Sequence, residues 1–220
     1  MKKQKCISCR FFSGKDYCYA MEKPLKSEES MQSLSRVCGV DNIHRREYHM
    51  NLYKLIKGFV KGKTILVLGC HADGEIEHFN NGKRKFTAIE PLKRFADYLA
   101  KMPNTKVVRQ KWESFSMKGK YDQIWCLDCI EHSKQPYKIL ERITKLSDSI
   151  ILSCPNGLYF FQDPHRKMNH GHGSHVSSFT FWSLTDYFKK KGYRIKTIKG
   201  LTNPWMGPFA FGILLVAERC

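Results

Sequence analysis

The sequence predicts an α/β fold with a doubly wound, mostly parallel sheet and a small cysteine-rich segment at its amino-terminal end. Short apolar runs alternate with helix-like stretches over most of the chain, which is typical of βα units. The run at residues 65–68 is too short for a helix and too uniform for a half-exposed strand, so it predicts a central strand buried on both faces. Gly69 follows this run directly, where the backbone has to turn sharply.

The remaining elements follow in order along the chain. Apolar residues at helical spacing predict a first helix at 43–60, and Gly62 then ends it. Further strands are predicted at 85–89, 106–109, 121–127, 149–153, 193–198 and 211–218, and further helices at 75–82, 92–101, 136–146 and 185–191. Residues 157–178 interrupt the alternation as a long loop that contains His165, His170, His172 and His175, which predicts a mobile polar loop or, alternatively, metal ligands.

Length and composition limit the class of protein. A chain of 220 residues with 42% apolar residues is long enough for one full domain and a small appendage. No apolar run approaches the ~18 residues of a membrane span, and no apolar signal-peptide core follows the basic amino terminus. We therefore expect a soluble, cytoplasmic protein without a membrane span; the sequence does not indicate its oligomeric state.

The net charge of +18 is unusually high for a chain of this length. One interpretation is an anionic partner such as RNA, which basic proteins bind through phosphate contacts. The other interpretation is a solvated, lysine-rich surface, because the charges are scattered and the longest basic block is only residues 189–191. The charge alone favours neither.

Four cysteines, Cys6, Cys9, Cys18 and Cys38, crowd into the first forty residues. Residues 1–42 show no regular spacing of apolar residues and could not bury enough apolar surface to fold alone. They therefore need a cross-link such as a bound metal ion. A CxxC pair with two later cysteines suits a tetrahedral site, and zinc is the predicted ion. An iron–sulfur cluster and free thiols are the alternatives. The predicted domains are therefore 1–42, a metal-stapled segment, and 43–220, the main domain.

The strand, glycine turn and helix start at residues 63–75 together resemble a nucleotide-type cofactor site at the carboxyl end of a sheet. Glu90 ends the second strand 21 residues after Gly69, about the interval at which βαβ units place an acid against ribose hydroxyls. An ordinary strand-end carboxylate is the alternative interpretation. Because Glu90 occurs together with the glycine turn, we favour the interpretation that Glu90 binds the ribose hydroxyls of a cofactor.

At this point residues 44–220 resemble a class I S-adenosylmethionine-dependent methyltransferase of the broad small-molecule type. The resemblance is carried by ILVLGC, AIEP, YDQIWCLDCIEH, SCPNG and the segment HVSSFTFWSLTDYFKKKGYRI. It implies a Rossmann-like sheet of seven strands with the last antiparallel. It also implies S-adenosylmethionine as cofactor, with contacts carried over position by position to Gly69, Cys70, His71, Gly74, Glu90, Trp112, Glu113, Leu127 and Asp128.

Asp128, Glu131 and His132 are the candidate catalytic residues. Positions 128, 131 and 132 share one face of a helical turn, so their side chains are expected to converge. His132 has the pKa best suited to a base that removes the proton of an oxygen or nitrogen acceptor. A magnesium-type site is one alternative; the other, which we place first, is a structural or pocket-lining role for Glu131 and His132. Cys126 and Cys129 are interpreted as packing residues.

Three functions remain open on this sequence. The first is methyl transfer to oxygen or nitrogen of a small-molecule or glycan acceptor. The second is methylation of RNA or another nucleic acid, which the basic charge and the cysteine-rich segment favour. The third is a non-enzymatic binding protein, because His71 and Asp73 stand where the family often has glycines and Lys111 stands where it often has an acid.

Overall fold

The computed structural model describes residues 17–18, 23–24, 40–69, 74–159, 176–201 and 204–220. Residue contacts divide the chain into two compact units, Met1–Leu52 and Tyr53–Cys220. In the first unit, the two-residue strand Tyr17–Cys18 pairs antiparallel with Lys23–Pro24. None of the helices that the structure describes is long and apolar enough to cross a membrane.

The main sheet contains seven strands, which we label in chain order. They are β1 Thr64–Leu68, β2 Lys85–Ile89, β3 Thr105–Val108, β4 Gln123–Leu127, β5 Ser149–Pro155, β6 Tyr193–Leu201 and β7 Gly212–Arg219. The α-helices are α1 Val40–Ile56, α2 Glu75–Phe79, α3 Lys93–Leu99, α4 Pro136–Leu146 and α5 Phe181–Lys190. Short 3₁₀ turns lie at Lys57–Phe59, Ile130–His132, Gly157–Tyr159 and Pro204–Phe209.

The strands lie in the order β3-β2-β1-β4-β5-β7-β6. Strands β1 to β5 pair in parallel, whereas β7 pairs antiparallel with both β5 and β6. The prediction of a seven-stranded, mostly parallel sheet with an antiparallel last strand is confirmed. Because β1 lies between β2 and β4, the chain reverses its direction of winding there. Open α/β sheets ordinarily bind ligands beside the carboxyl ends of the strands at such a reversal.

The central strands are buried on both faces, as the apolar run at 65–68 predicts. All five residues of β4 are buried, and Trp125 on this strand packs edge-on against Phe79 of α2, with ring centroids 5.2 Å apart. On the other face, Leu140 of α4 and Phe188 of α5 belong to the same core cluster as Leu66 of β1. Helices on both sides are what a parallel sheet of this composition requires.

Helix α5 begins four residues earlier than residue 185, the predicted start. Thr180 and Ser183 form a reciprocal capping box: the Thr180 hydroxyl accepts from the Ser183 N–H (3.1 Å), and the Ser183 hydroxyl accepts from the Thr180 N–H (2.8 Å). A serine in place of the usual glutamate at the third helical position hides this signal from a motif search.

Gly62 and Asp122 join the entry to β1 with the entry to β4. Asp122 Oδ2 accepts hydrogen bonds from the N–H groups of Lys63 (2.7 Å) and Thr64 (2.8 Å). These bonds lower the pKa of Asp122, Thr64 contributing most. Gly62 has φ +78°, and a Cβ built on it would lie 2.2 Å from the Asp122 Cβ. Only glycine fits this position, because it adopts a left-handed backbone without a conformational cost and has no side chain to contact Asp122.

Gly62→Ala should destabilise the fold by at least about 3 kcal/mol, because the left-handed backbone costs about 1–2 kcal/mol and the clash adds to it. Gly82→Ala is the matched control, since Gly82 has φ +76° and nothing within 4 Å of its built Cβ. This control should lose only about 1 kcal/mol in urea unfolding. Equal losses in the two variants would show that the contact with Asp122 has no energetic importance.

Candidate functional site

The ends of β1, β2 and β4 bring Gly69, Glu90 and Asp128 to one edge of the sheet. Backbone hydrogen bonds continue the parallel ladder one residue past each strand. Gly69 N–H donates to Ile89 O (3.2 Å), Glu90 N–H to Val108 O (3.1 Å) and Asp128 N–H to Ser153 O (3.0 Å). The three predicted site residues are therefore neighbours in space, although 59 positions separate the first from the last.

Gly69 has a left-handed backbone with φ +65°. A Cβ at this position would lie 2.7 Å from Cys129 Sγ and 3.3 Å from the Trp112 ring, so any side chain is excluded. Trp112 is half-buried, and its indole N–H donates to Ile89 O at 3.3 Å. The turn after β1 is thus packed between the segment after β4 and the segment after β3, and its backbone remains close to the edge.

Glu90 is fully buried at the end of β2. Its Oε1 accepts a hydrogen bond from the Leu92 N–H at 2.9 Å, which holds the carboxylate against the turn that follows the strand. This contact belongs to the ordinary strand-end role that the sequence left open. A carboxylate has about four acceptor positions, so the same group can also accept from a ligand hydroxyl.

Glu113, in the segment after β3, accepts a hydrogen bond from the Ser133 hydroxyl at 2.6 Å. The same hydroxyl accepts from the Gln135 N–H at 3.0 Å. Glu113 therefore fixes the turn between β4 and α4, and its predicted cofactor contact remains a prediction.

Asp128 adopts a left-handed backbone with φ +45° directly after the buried end of β4 at Leu127. Its Oδ1 accepts from the Ser153 hydroxyl at 2.9 Å, and the same hydroxyl lies 3.1 Å from the Asp128 N–H. A left-handed residue other than glycine costs about 1–2 kcal/mol, although aspartate is among the residues that tolerate it. The chain therefore leaves β4 at a sharp, fixed corner.

Glu131 and His132 lie on the 3₁₀ turn Ile130–His132 that follows this corner. Glu131 is 1% exposed, whereas the His132 side chain is 19% exposed, with its Nε2 3.9 Å from Glu131 Oε1. The Glu131 carbonyl accepts from the N–H groups of Val176 (2.8 Å) and Ser177 (3.1 Å). The turn thereby fixes the point at which the chain returns from the long loop.

Burial raises the pKa of the Glu131 carboxyl well above its ordinary value, and the neighbouring Asp128 charge raises it further. Among the described residues no hydrogen-bond donor reaches Glu131 Oε2. Glu131 is consequently favoured as a neutral acid, whereas His132 reaches solvent.

Three buried thiols line the same corner from the core side: Cys126, Cys129 and Cys154. Burial raises the pKa of Cys129, and the adjacent Cys126 thiol adds to the effect. Burial also raises the pKa of Cys154. All three belong to the main hydrophobic cluster, in agreement with the packing interpretation of Cys126 and Cys129.

Several predicted residues lie outside the part of the chain that the structure describes. These are Cys70, His71 and the loop histidines, together with Cys6, Cys9 and Cys38 and the side chain of Cys18. Gly74 is described and precedes α2 with φ 90°. Over the described ranges, no group of three or more His, Cys, Asp or Glu side chains is arranged to hold a metal ion.

The sequence reasoning missed Asn156 and Ser153 as organisers of the edge. Asn156 is fully buried, and its side-chain amide donates to both Pro208 O and Ala210 O at 2.8 Å. Its own N–H donates to Phe211 O at 2.8 Å. The short motif SCPNG contains both residues. Two polar side chains, Ser153 and Asn156, flank Cys154 and Pro155 at the end of an apolar strand, and this was the signal in the sequence that could have identified them.

Glu131→Gln should raise the melting temperature at pH 7 by about 2 °C or more, because it removes a group that burial disfavours in its charged form. A raised folded-state pKa means that the wild type loses stability as pH rises above the unfolded-state value of about 4.3. The gain should therefore shrink as pH falls towards 4. Glu113→Gln, whose partner is a hydroxyl, is the control and should show no such pH-dependent gain. A gain for Glu131→Gln that stays constant from pH 4 to 8 would contradict the assignment.

No protein-family model matches this sequence, and no curated protein does either. Solved structures do resemble its fold. Magnesium protoporphyrin IX methyltransferase from Synechocystis PCC 6803 with bound SAH is 16% identical, over 80% of this chain and 84% of that one, with a TM-score of 0.59. The N-methyltransferase NodS from Bradyrhizobium japonicum WM9 is 12% identical, over 81% of this chain and 98% of that one, with a TM-score of 0.58. The small RNA methyltransferase HEN1 is 16% identical, over 81% of this chain and 25% of that one, with a TM-score of 0.58. The chain therefore has the Rossmann-like fold of class I methyltransferases.

Proposed function

We propose that this protein is an S-adenosylmethionine-dependent methyltransferase that acts on an oxygen or nitrogen of a small-molecule or glycan acceptor. The observation that carries the proposal is the pairing of Gly69 with the end of β2, where the buried Glu90 follows. It places a side-chain-free turn beside a carboxylate at the carboxyl edge of the sheet. The solved structures with a similar fold include an enzyme that holds SAH.

The residues at this edge suit such a cofactor. Gly69 provides a turn without a side chain, since a Cβ there would collide with Cys129. Glu90 provides a hydrogen-bond acceptor for the two hydroxyls of a ribose. Trp112 supplies an aromatic wall on the side of β3, and Leu127 with Asp128 closes the side of β4. Cys70, His71 and Gly74 would complete the loop around the amino-acid part of the cofactor. Glu113 would support this wall through Ser133.

The cofactor, when bound, supplies a methyl group already activated on a sulfonium sulfur, so the protein needs no covalent nucleophile. The chain's own task is to hold the acceptor in line with that methyl group, and alignment alone contributes several kcal/mol. His132 Nε2 accepts the proton that the acceptor hydroxyl or amine loses. Burial raises the pKa of the Glu131 carboxyl, and the Glu131 carbonyl fixes the histidine's turn. Asp128, bonded to Ser153, fixes the corner before it.

RNA methylation is the second candidate, and the surface charge is the observation that favours it. Exposed acids on three helices each pair with a lysine four residues away: Asp97 with Lys93, Glu141 with Lys145, and Asp186 with Lys190. Such pairing neutralises acids and leaves the chain's excess of basic side chains for an anion. A binding protein without activity is the third candidate, and it rests on His71 and Asp73 in the cofactor loop.

Calorimetric titration with S-adenosylmethionine should show micromolar binding. Glu90→Gln should weaken it about tenfold or more, because the amide keeps the acceptor for Leu92 but loses the charge. Asp97→Asn, which removes a carboxylate on the next helix, is the control and should bind like the wild type. If the wild type releases no heat, the non-enzymatic candidate alone survives.

Transfer of labelled methyl groups into fractionated metabolite, glycan and RNA pools would separate the first two candidates. We expect label in the small-molecule or glycan pool. Label in RNA, with binding that weakens steeply as salt rises, would favour the second candidate instead.

We further propose that Cys6, Cys9, Cys18 and Cys38 bind one structural zinc ion. Purified protein should then carry about one zinc per chain by elemental analysis, and Cys6→Ser/Cys9→Ser should lose it. Cys126→Ser, in the buried core, is the control and should keep the metal. Metal-free protein that resists proteolysis within residues 1–42 as well as the metal-bound form would contradict this proposal.

A further inference from the structure

Three large aromatic side chains are exposed together at the carboxyl edge of β5 and the start of β7. Trp182 and Phe209 are each 57% exposed, and Phe211 is 41% exposed. The Trp182 and Phe209 ring centroids lie 6.4 Å apart, with their planes at 69°. We call these three residues the aromatic rim. Aromatic side chains of this size are ordinarily more buried, so their common exposure at one edge requires an explanation.

Hydrogen bonds fix the backbone beside two residues of the aromatic rim. Trp182 lies in the first turn of α5, which the Thr180–Ser183 capping box fixes. Phe209 lies between two residues, Pro208 and Ala210, whose carbonyls both accept from the buried Asn156 amide. The backbone at both residues therefore needs little further ordering when a flat molecule contacts the rings, which favours binding.

Hydrogen bonds and short stretches of chain link the backbone next to the aromatic rim to the His132 turn. Gly157 N–H, one residue after Asn156, donates to Phe179 O at 2.7 Å. Two residues before Phe179, the Ser177 N–H and hydroxyl bond to the carbonyls of Glu131 and Ile130 respectively. The aromatic rim thus borders the same edge at which the proposed proton acceptor lies.

The chain around the aromatic rim is almost free of charge. Residues 200–217 contain no Asp, Glu, Lys or Arg, and residues 176–188 contain no Lys or Arg. In a protein with a net charge of +18, the two chain segments that carry the aromatic rim are therefore poor in basic residues. A polyanion would need cations along its path, so an uncharged occupant fits this part of the edge better.

We propose that the aromatic rim binds the acceptor, and that the acceptor is an uncharged molecule with a flat aromatic or conjugated body that bears the hydroxyl or amine to be methylated. This inference rests on the proposed function and specifies its substrate class. Trp182 and Phe209 stack against the body of the acceptor, and the hydroxyl or amine points towards His132. The basic surface then serves solubility.

The test uses 2-naphthol, which is uncharged at pH 7, titrated calorimetrically into full-length protein saturated with S-adenosylhomocysteine. Wild type should bind it, and Trp182→Ala and Phe209→Ala should each weaken binding about fivefold or more, the size expected for one lost aromatic contact. Tyr137→Ala is the matched control, because Tyr137 is 54% exposed and lies outside the aromatic rim. It should change the affinity less than about twofold.

The same samples separate this inference from the proposed function. If S-adenosylhomocysteine binds but 2-naphthol does not, or binds equally to wild type and Trp182→Ala, the aromatic rim is not an acceptor site. A ten-residue oligouridylate whose binding is lost in Trp182→Ala would likewise overturn it, in favour of RNA. A shift from dimer to monomer in Trp182→Ala would assign the aromatic rim to self-association instead. Absence of S-adenosylhomocysteine binding overturns the proposed function itself.

Discussion

The carbonyl of Ile89 is the point on which the geometry of the edge depends. It accepts from the Gly69 N–H and from the Trp112 indole N–H, so one oxygen joins the end of β1, the end of β2 and the segment after β3. Of the three groups in these bonds, the Ile89 carbonyl and the Gly69 N–H belong to the backbone, and only the Trp112 indole is a side chain. The turn beside Glu90 is therefore fixed by the parallel register of the sheet, and loop side chains can vary without moving it.

The polar residues at the corner after β4 have different structural roles. Ser153 bonds to both the N–H and the carboxylate of Asp128, which stabilises a left-handed backbone that would otherwise be unfavourable. Glu131 lies inside the core, and its carbonyl anchors the returning chain at Ser177. Asp128 and His132 are both partly exposed, whereas Glu131 is buried. The contacts of Asp128 and of the Glu131 carbonyl thus fix the backbone of the turn on which His132 lies.

Charged side chains are unevenly distributed along this chain. Lysines pair with exposed acids along α3, α4 and α5, whereas the 18 residues before Glu218, which include the buried strand residues 212–217, carry no charge. Composition gives only the sum, a net charge of +18, which by itself favours neither an anionic partner nor a merely solvated surface. The uncharged segment supports the proposal of an uncharged acceptor at the carboxyl edge, because electrostatic attraction depends on the charges within about a Debye length of the ligand.

Local signals in the sequence were sufficient for the strands, their alternation with helices, and the placement of Gly69 and Glu90 at strand ends. These depend on apolar runs and on neighbours along the chain. The partnerships of the site could not be predicted in this way. That Glu113 binds Ser133, that Glu131 is buried, and that Trp182 lies beside Phe209 all depend on residues 20 or more positions apart, or on what the core encloses. Only the tertiary structure decides such contacts, because burial and charge environment are properties of the packed chain.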